Sequence, residues 1–238
     1  MKLVIDIGNT NTKLALFEGK ALFSISTINE CRLISIKDFV ANQVISATII
    51  SSVKENNSEI LRVLDYYKAI ILCQNTLVPI QNLYKNPETL GKDRLAAVVG
   101  AHFLYPNKDI LVFDAGTCLT IDFISKRGEY IGGRISPGIE MRYKALNTFT
   151  DRLPLIKKEK NTNIIGYDTN SCIASGVQRG ILDEVRLIIS DYRLKNHDTV
   201  ALVTGGDCFF FEKELKNSIF ANPNLVMIGL NEILDFNE

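Results

Sequence analysis

KLVIDIGNT (residues 2–10) and ILVFDAGT (residues 110–117) decide the fold, because the second repeats the pattern of the first. Each is an apolar run ending in Asp, then Asp-x-Gly and a Thr. A continuous apolar run of that length reads as a buried strand. Gly-Asn-Thr-Asn at residues 8–11 is turn chemistry. A return strand follows at Thr12–Phe17, a turn at Glu18–Lys20, and a third strand at Ala21–Ser26. The second copy does the same: Ile110–Phe113, Leu119–Ile124, a turn at Lys126–Gly128, and Glu129–Ile131. Two β-meanders with the same opening imply two similarly built α/β halves, 1–107 and 108–238, with Pro106-Asn107-Lys108 as the boundary.

Between the meanders the spacing predicts a helix over Ile36–Val44, a strand over Ala47–Val53, a helix over Ser58–Tyr67 and a strand over Ala69–Cys73. A proline-bearing loop then leads to a helix over Gly91–Leu104, on which His102 reads as a packed residue. The second half adds helices over Pro137–Asn147 and Asn170–Leu194, a strand over Val200–Val203, and helices over Phe209–Ile219 and Gly229–Phe236.

The chain has 238 residues, with 27 Lys+Arg balanced by 27 Asp+Glu. Zero net charge and the lack of like-charge blocks argue against a nucleic-acid or membrane-surface protein. The densest basic run, KKEK at Lys157–Lys160, reads as a solvated loop. No apolar stretch approaches the ~18 residues a membrane span needs, and Asp6 interrupts the N-terminal apolar run that a signal peptide would require. The five cysteines lack CxxC spacing, which predicts reduced thiols and a cytoplasmic setting. Two histidines support neither a His-rich metal site nor a Ser/His/Asp triad. Neither a Walker A pattern nor GxGxxG is present.

The turn after Asp6 suits an anion, because Gly8 lets main chain approach closely and Lys13 adds a point charge. Asp6 itself repels an anion. A divalent cation between the two resolves that conflict, since Mg²⁺ binds through one or two carboxylates plus substrate phosphates. Asp114 and Thr117 invite the same argument, so the two hairpins are expected to clamp one nucleotide tail. Thr204-Gly205-Gly206-Asp207 suits close approach to a nucleoside. In Leu90-Gly91-Lys92-Asp93-Arg94, Asp93 can accept a hydroxyl proton and Arg94 can hold a carboxylate bidentately. Asp93 also suits a helix N-terminus on structural grounds alone.

DIGNTNTK (residues 6–13), LGKDR (90–94), DAGT (114–117), GGRISPG (132–138) and TGGD (204–207) occur in the order seen in type III pantothenate kinases. The chain resembles that family over nearly its whole length. The Asp-x-Gly hairpin is shared with the wider acetate/sugar kinase, Hsp70 and actin superfamily; its combination with LGKDR at this length is the narrower signature. The resemblance implies an α/β fold of two ribonuclease-H-like, actin-like ATPase domains with an interdomain active-site cleft. It implies ATP-dependent phosphorylation of pantothenate, Mg²⁺, a monovalent cation (K⁺ or NH₄⁺), and a homodimer. Carried over residue by residue, Asp6, Ile7, Gly8, Asn9, Thr10, Asn11, Thr12 and Lys13 contact the ATP phosphates, with Asp6 near the Mg²⁺. Asp93 matches the proton acceptor, and Gly91, Lys92, Asp93 and Arg94 bind pantothenate. Asp114 matches the monovalent-cation ligand and Thr117 an ATP contact. Tyr84 and Thr169 match pantothenate contacts; on structural grounds alone Tyr84 is a loop aromatic and Thr169 a helix N-cap. Cys118 stands where the family often has Ala, and Leu153–Thr169 is hard to align with it. Two other classes fit parts of the pattern: a kinase for a sugar or short acid, and a non-catalytic regulator on the same fold.

Overall fold

The computed structural model describes residues 1–8, 11–52, 57–160 and 162–238. The chain forms two compact units. The first comprises 1–107, 124–131 and 224–238, and the second 108–123 and 132–223. Residues 124–131 and the last helix, which lie beyond residue 107, are part of the first unit.

In the first unit, β1 (Lys2–Ile7), β2 (Thr12–Glu18), β3 (Ala21–Ile28), β4 (Ala47–Ser52) and β5 (Ile70–Ile71) form a sheet ordered β3-β2-β1-β4-β5. β1 runs antiparallel to β2 and parallel to β4. Side chains alternate faces along a strand. Leu3, Ile5, Ile7 and Ile50 therefore share one face, where they pack with Ile36 and Val40 of α1 (Leu33–Val40) and Ile60 and Val63 of α2 (Ser58–Tyr67). The opposite face carries Val4 and Asp6 of β1. It meets α3 (Lys92–Leu104) and α8 (Leu225–Phe236). The fold thus turns Asp6 toward the helix that begins with Lys92, Asp93 and Arg94.

α3 and α8 approach through glycines. A Cβ on Gly229 would overlap the Ala96 carbonyl and sit 2.8 Å from the Gly100 amide nitrogen. Lys2 and Lys20 then tie α8 to the sheet through Asp235 and Glu232. Gly229→Ala must push the helices apart or bend one, which costs on the order of 1–3 kcal/mol. The expected result is a Tm lowered by roughly 4–10 °C in a thermal melt. An unchanged Tm would mean that this close approach does not hold α3 in place.

In the second unit β7 (Ile110–Ala115), β8 (Cys118–Ile124), β9 (Glu129–Pro137), β10 (Val200–Thr204) and β11 (Phe220–Ala221) follow the order β11-β10-β7-β8-β9. β10 lies parallel to both β7 and β11. The first residues of β9, Glu129 and Tyr130, belong to the first unit and pair in parallel with β6 (Gln81–Asn82). α4 (Ile139–Thr148), α5 (Thr169–Ala174), α6 (Gly180–Lys195) and α7 (Cys208–Glu214) complete the second unit. Phe113, Leu119, Tyr143, Ile181, Val185 and Phe211 lie in its core.

Several elements differ from the sequence reading. The helix expected over 170–194 runs without a gap from Thr169 to Lys195 and contains a π-helical turn at Ser175–Arg179. β9 continues past Ile131 to Pro137 because Gly133 serves close approach, not a turn: a Cβ there would overlap the Ile121 carbonyl. α7 stops at Glu214, and α8 begins at Leu225, before Gly229, whose bare face is used against α3. α1 covers Leu33–Val40, so Val44 lies beyond its end. The strand expected at 69–73 shrinks to Ile70–Ile71. β4 ends at Ser52, and Val53 lies outside the described residues. His102 is half-buried with its Nδ1 unpartnered. All five cysteines are free.

Candidate active site

In the first unit the site starts where β1 ends. Gly8 donates its N–H to the Asn11 carbonyl at 3.0 Å, closing the turn, so this amide is not among those left for an anion. Asn9 and Thr10 lie outside the described residues. Ile7 and Thr12 are buried at the feet of the turn, Asn11 is exposed, and Lys13 stands opposite Asp6 in the β1–β2 register. On the other side, Ser51 of β4 is the registered partner of Asp6.

The Asp6 carboxyl is pushed up to about 6. Loss of surrounding water is the main cause. The Ser51 hydroxyl pulls it down, the Asp93 carboxylate raises it, and the Lys13 ammonium lowers it. Asp6 and Asp93, far apart in the chain, are therefore electrostatic neighbours. Ser51 is fully buried beside this carboxyl.

α3 delivers Asp93 through three local devices. Gly91 is its N-cap, and a Cβ there would sit 2.6 Å from Asp93 Oδ1, so a larger residue would displace this carboxylate from its place. Asp93 Oδ1 accepts the Arg94 N–H at 2.8 Å, which fixes the side chain across the helix start. Lys92 donates from Nζ to the Ser52 carbonyl at 3.1 Å, tying the same helix start to β4. Arg94 is 6% exposed, with its guanidinium carbon 5.6 Å from the centre of the Tyr84 ring. Tyr84 stacks on Tyr130 with centroids 6.1 Å apart. Its N–H donates to Asn82 Oδ1 at 3.0 Å. Cation–aromatic contact compensates part of what burying a guanidinium costs. Tyr84, Gly91, Lys92, Asp93 and Arg94 are thus brought together in one unit with Asp6 and Lys13.

In the second unit three motifs meet at the end of β7. Thr204 is the registered partner of Asp114. Gly205 follows with φ +88, and a Cβ on it would lie 2.5 Å from Asp114 Oδ1. Asp207 donates its N–H to the Ala115 carbonyl at 2.9 Å. Gly138 donates to the Thr117 carbonyl at 3.1 Å, and a side chain there would overlap the Gly116 carbonyl. DAGT, the end of GGRISPG, and TGGD therefore form one cradle of main chain around Asp114, with Thr117 exposed at its edge. Thr169 is also exposed in this unit. Asp168, not Thr169, caps α5: its side chain accepts the Ser171 N–H at 2.8 Å.

Sequence reasoning missed Ser51 and Ser52, because ATIISSV reads as one apolar strand. Their importance comes from the β1–β4 register, which no local signal carries.

The type III pantothenate kinase family model matches residues 2–191. A type III pantothenate kinase from Bacteroides fragilis (strain YCH46) is 42% identical over 239 residues, covering 100% of this chain and 98% of its own. Among solved structures, a conserved putative Baf family transcriptional activator from Campylobacter jejuni is 26% identical with a TM-score of 0.65, covering 99% of this chain and 98% of its own. A putative N-acetylmannosamine kinase from Listeria monocytogenes has a TM-score of 0.55 at 14% identity, over 100% of this chain and 99% of its own. That likeness shows the fold, the ribonuclease-H-like architecture of the sugar kinases.

Proposed function

The chain belongs to the type III pantothenate kinase family, and from that premise we propose how its residues carry out ATP-dependent phosphorylation of pantothenate, the step that opens coenzyme A synthesis. The observation that carries the reading is the pairing of Asp6 with Asp93 beside the buried Arg94. Two carboxylates held as neighbours, with a fixed guanidinium next in sequence, suit transfer of a phosphoryl group to a hydroxyl on a carboxylate-bearing molecule.

Asp93 accepts the proton of the pantothenate primary hydroxyl as it attacks in line. Arg94, backed by Tyr84, holds the pantothenate carboxylate, and Gly91 and Lys92 complete that subsite in the first unit. Lys13 and the turn at residues 8–11 hold the ATP phosphates. The donors present fit Mg²⁺: Asp6 is an oxygen ligand whose charge Asp93 opposes, and a hard cation with one or two carboxylates and phosphate oxygens relieves that opposition. Bound there by Asp6, it supplies charge neutralisation for the phosphates. Asp114 holds a monovalent cation, K⁺ or NH₄⁺, and Thr117 contacts ATP.

We also read the chain as two ribonuclease-H-like domains divided near residue 107, working in the cytoplasm as a homodimer. Phe149, Ile164, Ile165 and Tyr167, large apolar side chains at 79–84% exposure in the second unit, favour a second copy as their cover.

A regulator without activity is the competing reading, given the name of the Campylobacter structure. The presence of Asp6, Asp93 and Asp114 and the neutral net charge disfavour it. A coupled ADP-release assay decides. ADP should appear only with pantothenate, not with a panel of sugars, and should fall at least tenfold when K⁺ is replaced by Na⁺. Release with a sugar, or none with any acceptor, would overturn the assignment.

A further inference from the structure

The stretch between α4 and α5 has no helix or strand among its described residues and carries the KKEK run. A connection of this length is ordinarily a functional or mobile loop. Here its main chain is held by side chains from the π-helical turn. Gln178, 1% exposed, grips Glu159 twice: its Oε1 accepts the Glu159 N–H at 2.7 Å and its Nε2 donates to the Glu159 carbonyl at 3.0 Å. The Tyr143 hydroxyl donates to the same Oε1 at 2.7 Å. Arg179 donates to the Thr162 carbonyl from Nε and Nη2, and Ser175 donates to the Ile164 carbonyl at 2.6 Å. Leu153 and Ile156 pack on the core of the second unit. A π-turn widens the helix by one residue and often marks a functional place. Here it points three polar side chains at one strap.

What the strap carries at its centre is Lys158. Its ammonium lies 2.5 Å from Asp207 Oδ1 and 5.5 Å from the centre of the Phe210 ring. Asp207 precedes α7, where an Asp side chain ordinarily caps the helix. It makes no cap bond, and its carboxylate turns to Lys158 instead. Beside it, Gly205 rests against Asp114, while a Cβ on Gly206 would meet nothing within 4 Å. The result is a bare, open piece of main chain next to a carboxylate whose position a pinned lysine sets.

We propose that the strap serves to hold Lys158 against Asp207, and that this pair makes the enzyme selective for a ribonucleoside triphosphate as phosphoryl donor. The Asp207 oxygen that Lys158 leaves free accepts a hydrogen bond from a ribose hydroxyl of a nucleotide lying along Gly205–Gly206. Lys158 is a positioning residue, and Asp207 is the group that touches the nucleotide. This rests on the kinase reading above. A hydrogen bond to a charged, partly exposed acceptor corresponds to roughly tenfold in affinity.

The experiment compares ATP, 2′-deoxyATP and 3′-deoxyATP by calorimetric binding and by pantothenate-dependent ADP release. In the natural protein, one of the deoxy nucleotides should bind roughly tenfold more weakly than ATP. Asp207→Ala and Lys158→Met should each bring that ratio to within about twofold by weakening ATP, with the loss falling on KM for ATP and not on KM for pantothenate. Lys158→Arg, which keeps the cation, should restore the ratio. Equal binding of all three nucleotides by the natural protein, or full discrimination kept in Asp207→Ala or Lys158→Met, would overturn the proposal. Intact ribose discrimination without pantothenate turnover would overturn the kinase reading and leave only the Asp207–ribose contact standing.

Discussion

Asp93→Asn is expected to lower kcat by roughly 10²–10⁴-fold, the range spanned by loss of a general base, while ATP binding stays the same or tightens. The amide keeps the shape and can still accept the Arg94 N–H that fixes the side chain. It cannot take a proton from the attacking hydroxyl. Its effect on ATP has the opposite sign, for an electrostatic reason. Asp93 raises the Asp6 carboxyl toward protonation. Removing that charge leaves Asp6 more fully ionised for its cation and removes one repulsion of the phosphates. Steady-state kinetics and calorimetric titration with Mg·ATP separate the two effects. A variant that retained kcat and lost ATP affinity would assign Asp93 to nucleotide binding and remove it from the chemistry.

The parts of this site that can be read in the sequence are those whose signal is local. A buried strand ending in Asp-x-Gly announces itself twice, because burial on both faces demands an unbroken apolar run and the turn demands glycine. Gly91-Lys92-Asp93-Arg94 is local in the same way, a helix start with an acid in its first turn. Long-range pairing cannot be read so easily. Ser51 acquires its place from the parallel register of β1 with β4, and Lys158 from side chains of the π-helical turn within a long helix. α8 follows the same logic. Nothing within Leu225–Phe236 says which unit it joins; the bare faces of Gly229 and Gly100 decide that only when the two helices meet.

Asp6→Asn is expected to abolish detectable kinase activity, by 10³-fold or more on the scale of losing a metal-bound charge clamp, and yet to stabilise the ligand-free protein at neutral pH. The folded protein holds the Asp6 proton up to about pH 6, whereas an unfolded aspartate releases it near 3.8. Between those values the folded state binds more protons. Unfolding free energy therefore falls as pH rises through that window and levels off above it. A shift of this size corresponds to on the order of 2–3 kcal/mol, less whatever the partly exposed side chain recovers from solvent. Asparagine does not titrate, so the variant should match the natural protein near pH 3.5 and exceed it at pH 8 in urea unfolding without nucleotide. Mg·ATP should then reverse the order, because only the natural protein keeps the carboxylate that the cation needs. If the variant were instead less stable at pH 8 than at pH 3.5 relative to the natural protein, Asp6 would be a paired structural charge. The combination of lost function with gained stability is what distinguishes a carboxylate kept, at a cost to the fold, for binding a cation and phosphate.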